Sequence, residues 1–333
     1  MRKLATIRKV ADIKPIKDAD AIELAIIDGW QCVVKKGSVK KDDIVLYAEI
    51  DSFLPVKPEF EFLRKSSFKT MADGSAGFRL KTVRLRGELS QGLVMPLKDV
   101  GLDCAGIGLG QDVTEALGVK LYEPPIPADI SGMVEGAMPS TIKKTDEERC
   151  QNLLDYFDKF RDVEFEASEK LDGTSMSVYY HNGKVGVCGR NYEYKEGGNN
   201  SLWRTAKRGL IEKLNDLKLN IAVQGELIGE GIQGNPYKIK GQQFKVFNVW
   251  DIDNQCHWDS KLRLTHFSSN DHVPIIYEKI KIFQNRDINA VLDFAKGMSV
   301  LNPLQIREGL VFKSCEKIGP EIISFKAINN DYL

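Results

Sequence analysis

Three residues in one short segment combine a possible nucleophile, an acid and a tight turn: Lys170, Asp172 and Gly173. A lysine amine can attack an electrophilic centre only after it has lost its proton, and its ordinary pKa is about 10.4. Neighbouring cations and removal from water both lower that pKa. A lysine, any residue, an aspartate and a glycine occur in this order by chance in roughly one chain in ten of this length. The motif alone therefore does not separate a nucleophile from a lysine in a solvated turn.

Four further segments follow this motif in order, each within a stretch that is predicted to be a strand. They are Gly225-Glu226-Leu227, Phe244-Lys245-Val246-Phe247-Asn248-Val249, Glu308-Gly309-Leu310-Val311-Phe312-Lys313 and Ser324-Phe325-Lys326. A protein that uses its fold only as a scaffold has no reason to keep such a set of charges, because charges are costly to remove from water. The ordered series favours one chemical site built from all of these segments.

The series resembles the nucleotidyl-transfer motifs I, III, IIIa, IV and V of the covalent nucleotidyltransferase superfamily, which contains ligases and RNA-capping enzymes. The resemblance covers residues from about 145 to 333. The closest subgroup looks like the RNA ligases of the Naegleria and Deinococcus type, which carry an N-terminal OB-fold domain. This resemblance implies that Lys170 takes AMP from ATP. The implied activity seals RNA 3′-OH and 5′-phosphate ends through a lysyl-AMP enzyme and an adenylylated RNA end.

The resemblance also implies roles for individual residues. Lys326 would act with Lys170 as a second catalytic lysine, and Asp172, Glu226 and Glu308 would hold Mg²⁺ or Mn²⁺, directly or through water. These ions prefer oxygen ligands. The implied nucleotide contacts are Phe247 stacking on the base, Glu169 reading the adenine amino group, Glu226, Arg190 at a ribose or RNA phosphate, Lys313, and Arg149 at the triphosphate.

Several of these residues have a simpler interpretation when each is taken alone. A single acid is usually a surface carboxylate. Phe247 is more often part of a core, because its strand alternates like any half-buried strand. Arg190 suits a surface salt bridge as well as it suits a phosphate, although the planar fork of a guanidinium matches phosphate geometry.

The C-terminal segment departs from the wider family pattern. Many relatives have a second lysine two residues after the position of Lys326, where this chain has Ile328. We expect Lys313 or Arg149 to supply the triphosphate contact that this lysine normally shares. We also expect no C-terminal OB domain of the kind that DNA ligases and capping enzymes carry, which favours an RNA ligase.

Alternating apolar residues predict the strands that position these side chains. One strand enters the Lys170 turn, and Asn182-Gly183 predicts a two-residue hairpin turn because both turn positions need positive φ. Further strands are predicted at IAVQGELI, FKVFNVWDI, EGLVFKS and IISFKAI. Helices are predicted for KTDEERCQNLLDYFDKF, capped by Thr145 or Asp146, and for SLWRTAKRGLIEKLNDL, capped by Asn200 or Ser201.

The N-terminal part has short apolar runs separated by turn-like polar segments, a pattern typical of a small β domain, and it resembles an OB module. A proline-rich stretch, LYEPPIPADISGMVEGAMPS, then marks a boundary. The chain is therefore predicted to be α+β. An OB-fold β-barrel (residues 1–125) and a linker (126–139) precede an ATP-grasp-like nucleotidyltransferase domain (140–333) of antiparallel sheets with flanking helices.

Two other segments have compositions that could indicate ligand binding. Residues 64–86 carry seven basic side chains and a single acid, with Phe68 and Phe78 between them. This composition suits RNA backbone binding and base stacking, and it equally suits a plain solvated face. The glycines of Gly229–Gly234 match a dinucleotide-binding motif, but Asn235-Pro236 follows directly, so a loop is predicted there and not the helix that the motif requires.

The composition of the chain limits how it can bind RNA, metal ions and membranes. The 47 basic and 47 acidic residues cancel, so RNA must be held by local clusters and not by a global positive field. Neither the cysteines nor the histidines show metal-ligand spacing, and no long apolar run is present. We expect an intracellular, monomeric protein that does not associate with membranes. The alternatives are a GTP-dependent capping or DNA-joining nucleotidyltransferase, and a non-catalytic RNA-binding protein of the OB type.

Overall fold

The computed structural model describes residues 2–103, 106–127, 130–197 and 200–333. The chain forms two compact units, Met1–Pro127 and Ala128–Leu333. Cys104 and residues 128 and 129 of the predicted linker lie outside the described residues. Another part of that predicted linker, Val134–Ala137, is a strand of the second unit.

The first unit is built mainly from short antiparallel strands. They are β1 (Ala5–Lys9), β2 (Asp12–Pro15), β3 (Ile22–Ile27), β4 (Trp30–Lys35), β5 (Ile44–Ala48), β6 (Ser52–Pro55), β7 (Phe68–Thr70), β8 (Ala76–Arg79), β9 (Thr82–Leu85), β10 (Glu88–Gln91), β11 (Leu93–Pro96) and β12 (Lys120–Leu121). Their sheets have the orders β1-β5-β11, β2-β3-β4, β10-β9 and β12-β6-β8-β7. The helical segments are α1 (Arg64–Ser67), α2 (Thr114–Leu117) and the 3₁₀ turns Pro58–Leu63 and Leu97–Val100.

Two apolar clusters form the interior of this unit. In one, Trp30 is fully buried, and its ring centroid lies 5.6 Å from that of Tyr47. The other contains Phe78, which is also fully buried because its strand lies inside a sheet between β6 and β7. The prediction that Phe78 is available for base stacking is therefore wrong, whereas Phe68 is 38% exposed.

The second unit contains two larger antiparallel sheets. Its strands are β13 (Val134–Ala137), β14 (Phe165–Glu169), β15 (Thr174–His181), β16 (Lys184–Cys188), β17 (Tyr192–Tyr194), β18 (Ile221–Gly229), β19 (Gln242–Asp251), β20 (Cys256–His257), β21 (Ile275–Ile280), β22 (Gly309–Ser314) and β23 (Ser324–Ile328). The seven-stranded sheet has the order β13-β17-β16-β15-β18-β19-β20, and the four-stranded sheet has the order β21-β14-β22-β23. The predicted hairpin is confirmed, since Asn182 and Gly183 have φ values of 52° and 83° between β15 and β16.

The helices of this unit lie beside and between these strands. They are α3 (Tyr156–Lys159), α4 (Ser201–Ala206), α5 (Leu210–Leu217), α6 (Ser260–His266) and α7 (Ile288–Phe294), with 3₁₀ turns at Ser131–Met133, Cys150–Asn152 and Ser269–Asp271. Among the described residues, no helix has both the length and the apolar character needed to cross a membrane.

The helix predicted to begin at Thr145 or Asp146 is largely absent, so this prediction is wrong. Only the 3₁₀ turn Cys150–Asn152 and α3 form there. The Lys326 amide donates to the Glu148 carbonyl at 2.8 Å, so the segment pairs with β23 in place of making helical hydrogen bonds. Tertiary pairing has overridden the helical spacing of the apolar residues.

The helix predicted to follow Asn200 is interrupted. Asn200 is the N-cap, as predicted, because its side chain accepts a hydrogen bond from the Leu202 amide at 2.8 Å. The helical run then breaks at Gly209, whose φ of 110° is open mainly to glycine, and α5 starts directly after it. The predicted single helix is therefore two short ones.

The Lys170–Gly173 turn joins the two sheets of the second unit, because β14 belongs to one sheet and β15 to the other. Gly173 lies against β18. A Cβ atom at this position would stand 2.4 Å from the Leu227 carbonyl oxygen and 2.8 Å from the Glu226 side chain. Only glycine lets the turn come this close, which explains the glycine in the motif.

We expect Trp30→Ala to destabilise the first unit by roughly 3–5 kcal/mol, because the change removes a fully buried ring and leaves a cavity. The measurement is hydrogen–deuterium exchange of peptides from β3 to β5 at increasing urea concentration. Phe62→Ala is the matched control, since Phe62 is 63% exposed and its loss should change stability by less than about 0.5 kcal/mol. Equal protection in wild type and Trp30→Ala would contradict the assigned core.

Candidate active site

A cavity of about 480 Å³ in the second unit is lined by strands of both sheets. It brings together residues that are far apart in the chain. The predicted site residues that line it are Glu169, Lys170, Asp172, Arg190, Glu226, Phe247, Glu308, Lys313 and Lys326. Of the residues predicted from sequence, only Arg149 does not line it.

Lys170 and Glu308 form an ion pair inside this cavity. The Lys170 Nζ atom lies 2.7 Å from each carboxylate oxygen of Glu308. The backbone supports the pair, because the Lys170 amide donates to the Gly309 carbonyl at 3.0 Å. An amine attacks an electrophile only after it has lost its proton, and Glu308 is the carboxylate in direct contact with this amine.

The acidic residues of the cavity stand close enough to affect one another. Burial raises the pKa of Glu226 to about 8, and Glu308 and Asp172 add to the rise while Lys170 opposes it. Within the part of the chain that the structure describes, no three His, Cys, Asp or Glu side chains are arranged to hold a metal by themselves. Mg²⁺ usually keeps several waters and binds one or two carboxylates together with substrate phosphates. The all-oxygen donors and crowded negative charge fit such a hydrated ion.

Two tyrosines that sequence reasoning missed hold Asp172 in place. The Tyr332 hydroxyl donates to Asp172 Oδ2 at 2.6 Å, and the Tyr237 hydroxyl accepts from the Asp172 amide at 2.6 Å. Burial and the hydrogen bond to Asp172 raise the pKa of Tyr332. No local pattern around either tyrosine signals this role, because both contacts arise only from the fold.

Glu169 offers a buried hydrogen-bond acceptor. Its side chain is 1% exposed, and Oε2 accepts a hydrogen bond from the Val300 amide at 2.8 Å. Oε1 has no hydrogen-bond partner among the described residues. Burial raises the pKa of this carboxyl. Since an unsatisfied buried acceptor is costly, Oε1 suits a ligand that brings an N–H group, such as the exocyclic amine of adenine.

A β-bulge turns Phe247 towards the cavity. The pairing of β18 with β19 shifts from Gln224–Asn248 to Gly225–Val246, so Phe247 has no partner opposite it. An extra residue of this kind re-aims a side chain and changes the alternation along the strand. Phe247 consequently lines the cavity, although the alternation of its strand taken alone favoured a core position.

Two cations converge on the backbone carbonyl of Phe247. Lys313, which is 5% exposed, donates to this oxygen through Nζ, and Arg263 donates to it at 2.9 Å. Burial and the neighbouring Arg263 lower the pKa of Lys313 to about 7. Arg263 also forms a buried ion pair with Glu166 at 2.6 Å. Sequence reasoning missed Arg263 and Glu166, because neither belongs to a recognised motif.

The remaining predicted residues differ in their surroundings. Arg190 is paired with Asp146 at 2.7 Å, and both side chains are largely exposed, so the alternative of a surface salt bridge is present in the structure. Arg149 is buried, and its backbone forms a bridge to Lys326 on β23. Its triphosphate contact stays a prediction. Ile328, which stands where relatives have a second lysine, is 3% exposed and packs in the core.

Comparison with known proteins covers both units. An OB-fold domain model matches residues 4–97, and an RNA ligase model matches residues 163–328. The structure of Naegleria gruberi RNA ligase with PPi is 43% identical, with a match covering 100% of this chain and 98% of that chain and a TM-score of 0.80. A mutant of the same enzyme with AMP and Mn is 43% identical, with coverage of 99% and 98% and a TM-score of 0.81.

A lysine-to-alanine mutant of the Naegleria enzyme with ATP and Mn is 42% identical, with coverage of 99% and 98% and a TM-score of 0.80. A search of curated proteins finds no match. The identity over nearly the full length of both chains confirms the predicted fold class, an N-terminal OB fold followed by a sheet-rich domain with a few helices. The chain belongs to the RNA ligase family.

Proposed function

We propose that Lys170 is the residue through which this ATP-dependent RNA ligase transfers AMP, and that its substrates are RNA 3′-OH and 5′-phosphate ends. The enzyme uses ATP and a divalent metal ion. One observation carries the residue assignments: Lys170 and most of the predicted nucleotide contacts line a single cavity.

In the first step, Lys170 Nζ attacks the α-phosphorus of ATP, and the bond from this phosphorus to the pyrophosphate oxygen breaks. Glu308 lies 2.7 Å from the amine and is within reach to accept its proton. Lys313 and Lys326 supply positive charge where the phosphates develop negative charge. Asp172, Glu226 and Glu308 would hold a divalent ion through its waters and together with the phosphates, and the ion would neutralise phosphate charge.

The next two steps join the RNA ends. An oxygen of the RNA 5′-phosphate attacks the phosphorus of lysyl-AMP, the P–N bond breaks, and Lys170 recovers its amine. The 3′-OH oxygen then attacks the 5′-phosphorus of the adenylylated RNA, and AMP leaves. Asp172 keeps one orientation through these steps, because Tyr237 and Tyr332 hold its amide and its carboxylate.

The part of the cavity proposed to bind the base, with Glu169 and Phe247, accounts for a preference for ATP over GTP. Glu169 Oε1 is a buried acceptor that matches the adenine amine. Guanine places a carbonyl oxygen at the same edge, and two acceptors facing each other in a buried site repel. Phe247 provides an aromatic face in the same cavity. The GTP-dependent alternative is therefore not favoured.

We expect Lys170→Ala to form no labelled protein with α-labelled ATP and to lose sealing of 5′-phosphate RNA, because the atom that carries AMP is gone. RNA that already bears a 5′-adenylate needs no carrier, so the variant should retain part of that activity. The measurements are denaturing electrophoresis and a sealing assay on both RNAs. Lys207→Ala is the control, since Lys207 is a surface residue paired with Glu196. ATP-dependent sealing by Lys170→Ala would refute the assignment.

We expect Glu169→Gln to raise the KM for ATP in lysine adenylylation by about 10-fold or more, because a hydrogen bond to a charged acceptor contributes about 1.5–3 kcal/mol. The side chain keeps its size, so the fold should be unchanged and the thermal midpoint should report this. Discrimination between ATP and GTP should fall as well. An unchanged KM and an unchanged ATP/GTP ratio would contradict the role of Glu169.

We expect ATP binding near pH 8 to be accompanied by proton uptake at Lys313. The lowered pKa of about 7 leaves this amine largely neutral at pH 8 in the free enzyme. A nearby phosphate favours the charged form and so raises the pKa above the pH. Calorimetry in buffers of different ionisation enthalpy measures the uptake, and Lys313→Met is the matched comparison. Equal uptake in both proteins would show that Lys313 does not face the phosphates.

A further inference from the structure

A second cavity in the same unit, of about 530 Å³, lies beside β19 and the start of α5. Its lining includes Arg208, Lys213 and Lys245, together with Phe244 and Phe267. None of these residues has a role in the active site described above. The volume lies within the range of about 300–1,000 Å³ that is usual for small-ligand sites.

The three cations of this cavity are held in place by neutral groups. Lys245 Nζ donates to the Asn270 carbonyl at 2.6 Å, and Arg208 donates to the Gln242 carbonyl at 3.0 Å. Each of these hydrogen bonds fixes a cation without cancelling its charge. Burial lowers the pKa of Lys245, and the nearby Asp271 carboxylate acts in the opposite direction without forming an ion pair with the amine.

Lys213 completes the group, with its Nζ atom 4.5 Å from the Phe267 ring centroid. Asp271 is the one acid in the described lining. None of the three cations forms an ion pair with it or with any other carboxylate in the described part of the chain. Lys207, next to Arg208 in the chain, is by contrast paired with Glu196 at 2.9 Å. The described lining therefore carries an excess of positive charge, with three cations and one acid.

Thr205 adds a buried hydroxyl that lacks a partner. It is 7% exposed and lines the cavity, and its Oγ1 atom has no hydrogen-bond partner among the described residues. Gly209 and Leu210, where α5 begins without a side-chain cap, line the cavity too. A buried hydroxyl and the positive end of a helix both suit an anion that has several oxygen atoms.

We infer that this cavity binds a phosphodiester group of the RNA strand. Lys245 stands directly opposite Glu226 in the pairing of β18 with β19, and Glu226 lines the active-site cavity. The two cavities thus border the same pair of strands, so an RNA strand whose end reacts beside Glu226 has a second cationic cavity next to its path. The inference rests on the proposed function, because the RNA is the substrate of the ligase.

The test replaces Arg208 and Lys213 together by Gln and measures binding of a labelled 5′-phosphate oligoribonucleotide by anisotropy over a range of salt concentrations. The slope of log K against log[salt] is negative, and its magnitude should decrease by about 0.7 for each phosphate that the variant no longer binds. The RNA affinity should fall by about 10-fold. Lysine adenylylation with ATP should be unchanged. The matched control replaces Lys207 and Lys218, which carry the same charge but do not line the cavity.

A double variant that binds RNA with the wild-type slope would overturn the inference. Titration with inorganic phosphate and pyrophosphate shows whether the cavity binds a free phosphate ion or a phosphodiester of RNA. If the variant failed to bind phosphate but kept its RNA affinity, the RNA assignment would be overturned. Arg208→Lys keeps the positive charge and should retain the wild-type dependence of RNA affinity on salt. A weaker salt dependence in this variant would also count against the inference. Failure of the proposed function looks different, because the wild-type protein would then form no labelled adenylate.

Discussion

The close approach of the Lys170–Gly173 turn to β18 is the constraint on which the site depends. The turn crosses from one sheet to the other, and Gly173 packs where any side chain would meet the Leu227 carbonyl. This approach sets the position of Lys170 relative to Glu308, which precedes the first residue of β22. Lys170 is thus located by two sheets rather than by a free loop, and a rigid support of this kind is what accurate positioning requires.

The charges around this turn are held at a cost to the free protein. Glu226 sits among other carboxylates, and Lys313 shares one backbone carbonyl with Arg263. Each arrangement is unfavourable by itself, because burial penalises charge that has no opposite partner. Under the proposed function, a bound nucleotide and metal ion would bring opposite charge to these groups. Ligand binding would then recover part of the free energy that burial of these charges costs.

With the exception of Arg149, the order and types of the motif residues were enough to predict which side chains meet in the cavity. The supporting contacts were not predictable, because they join positions that share no local pattern. The partners of Asp172 lie 65 and 160 residues away in the chain, at Tyr237 and Tyr332. The segment after Thr145 has helical spacing, yet pairing with β23 decides its conformation. Local propensity is a weak guide wherever tertiary hydrogen bonds compete with it.

The bulge in β19 also suggests how a site of this kind can arise. One added residue turns Phe247 towards the cavity, while the strand keeps its apolar face on both sides of the insertion. A single inserted codon can therefore give an existing pocket an aromatic wall without rebuilding the core. When related strands differ in length by one residue, the gap in an alignment belongs inside the strand, and moving it to a neighbouring loop would exchange the inward and outward faces.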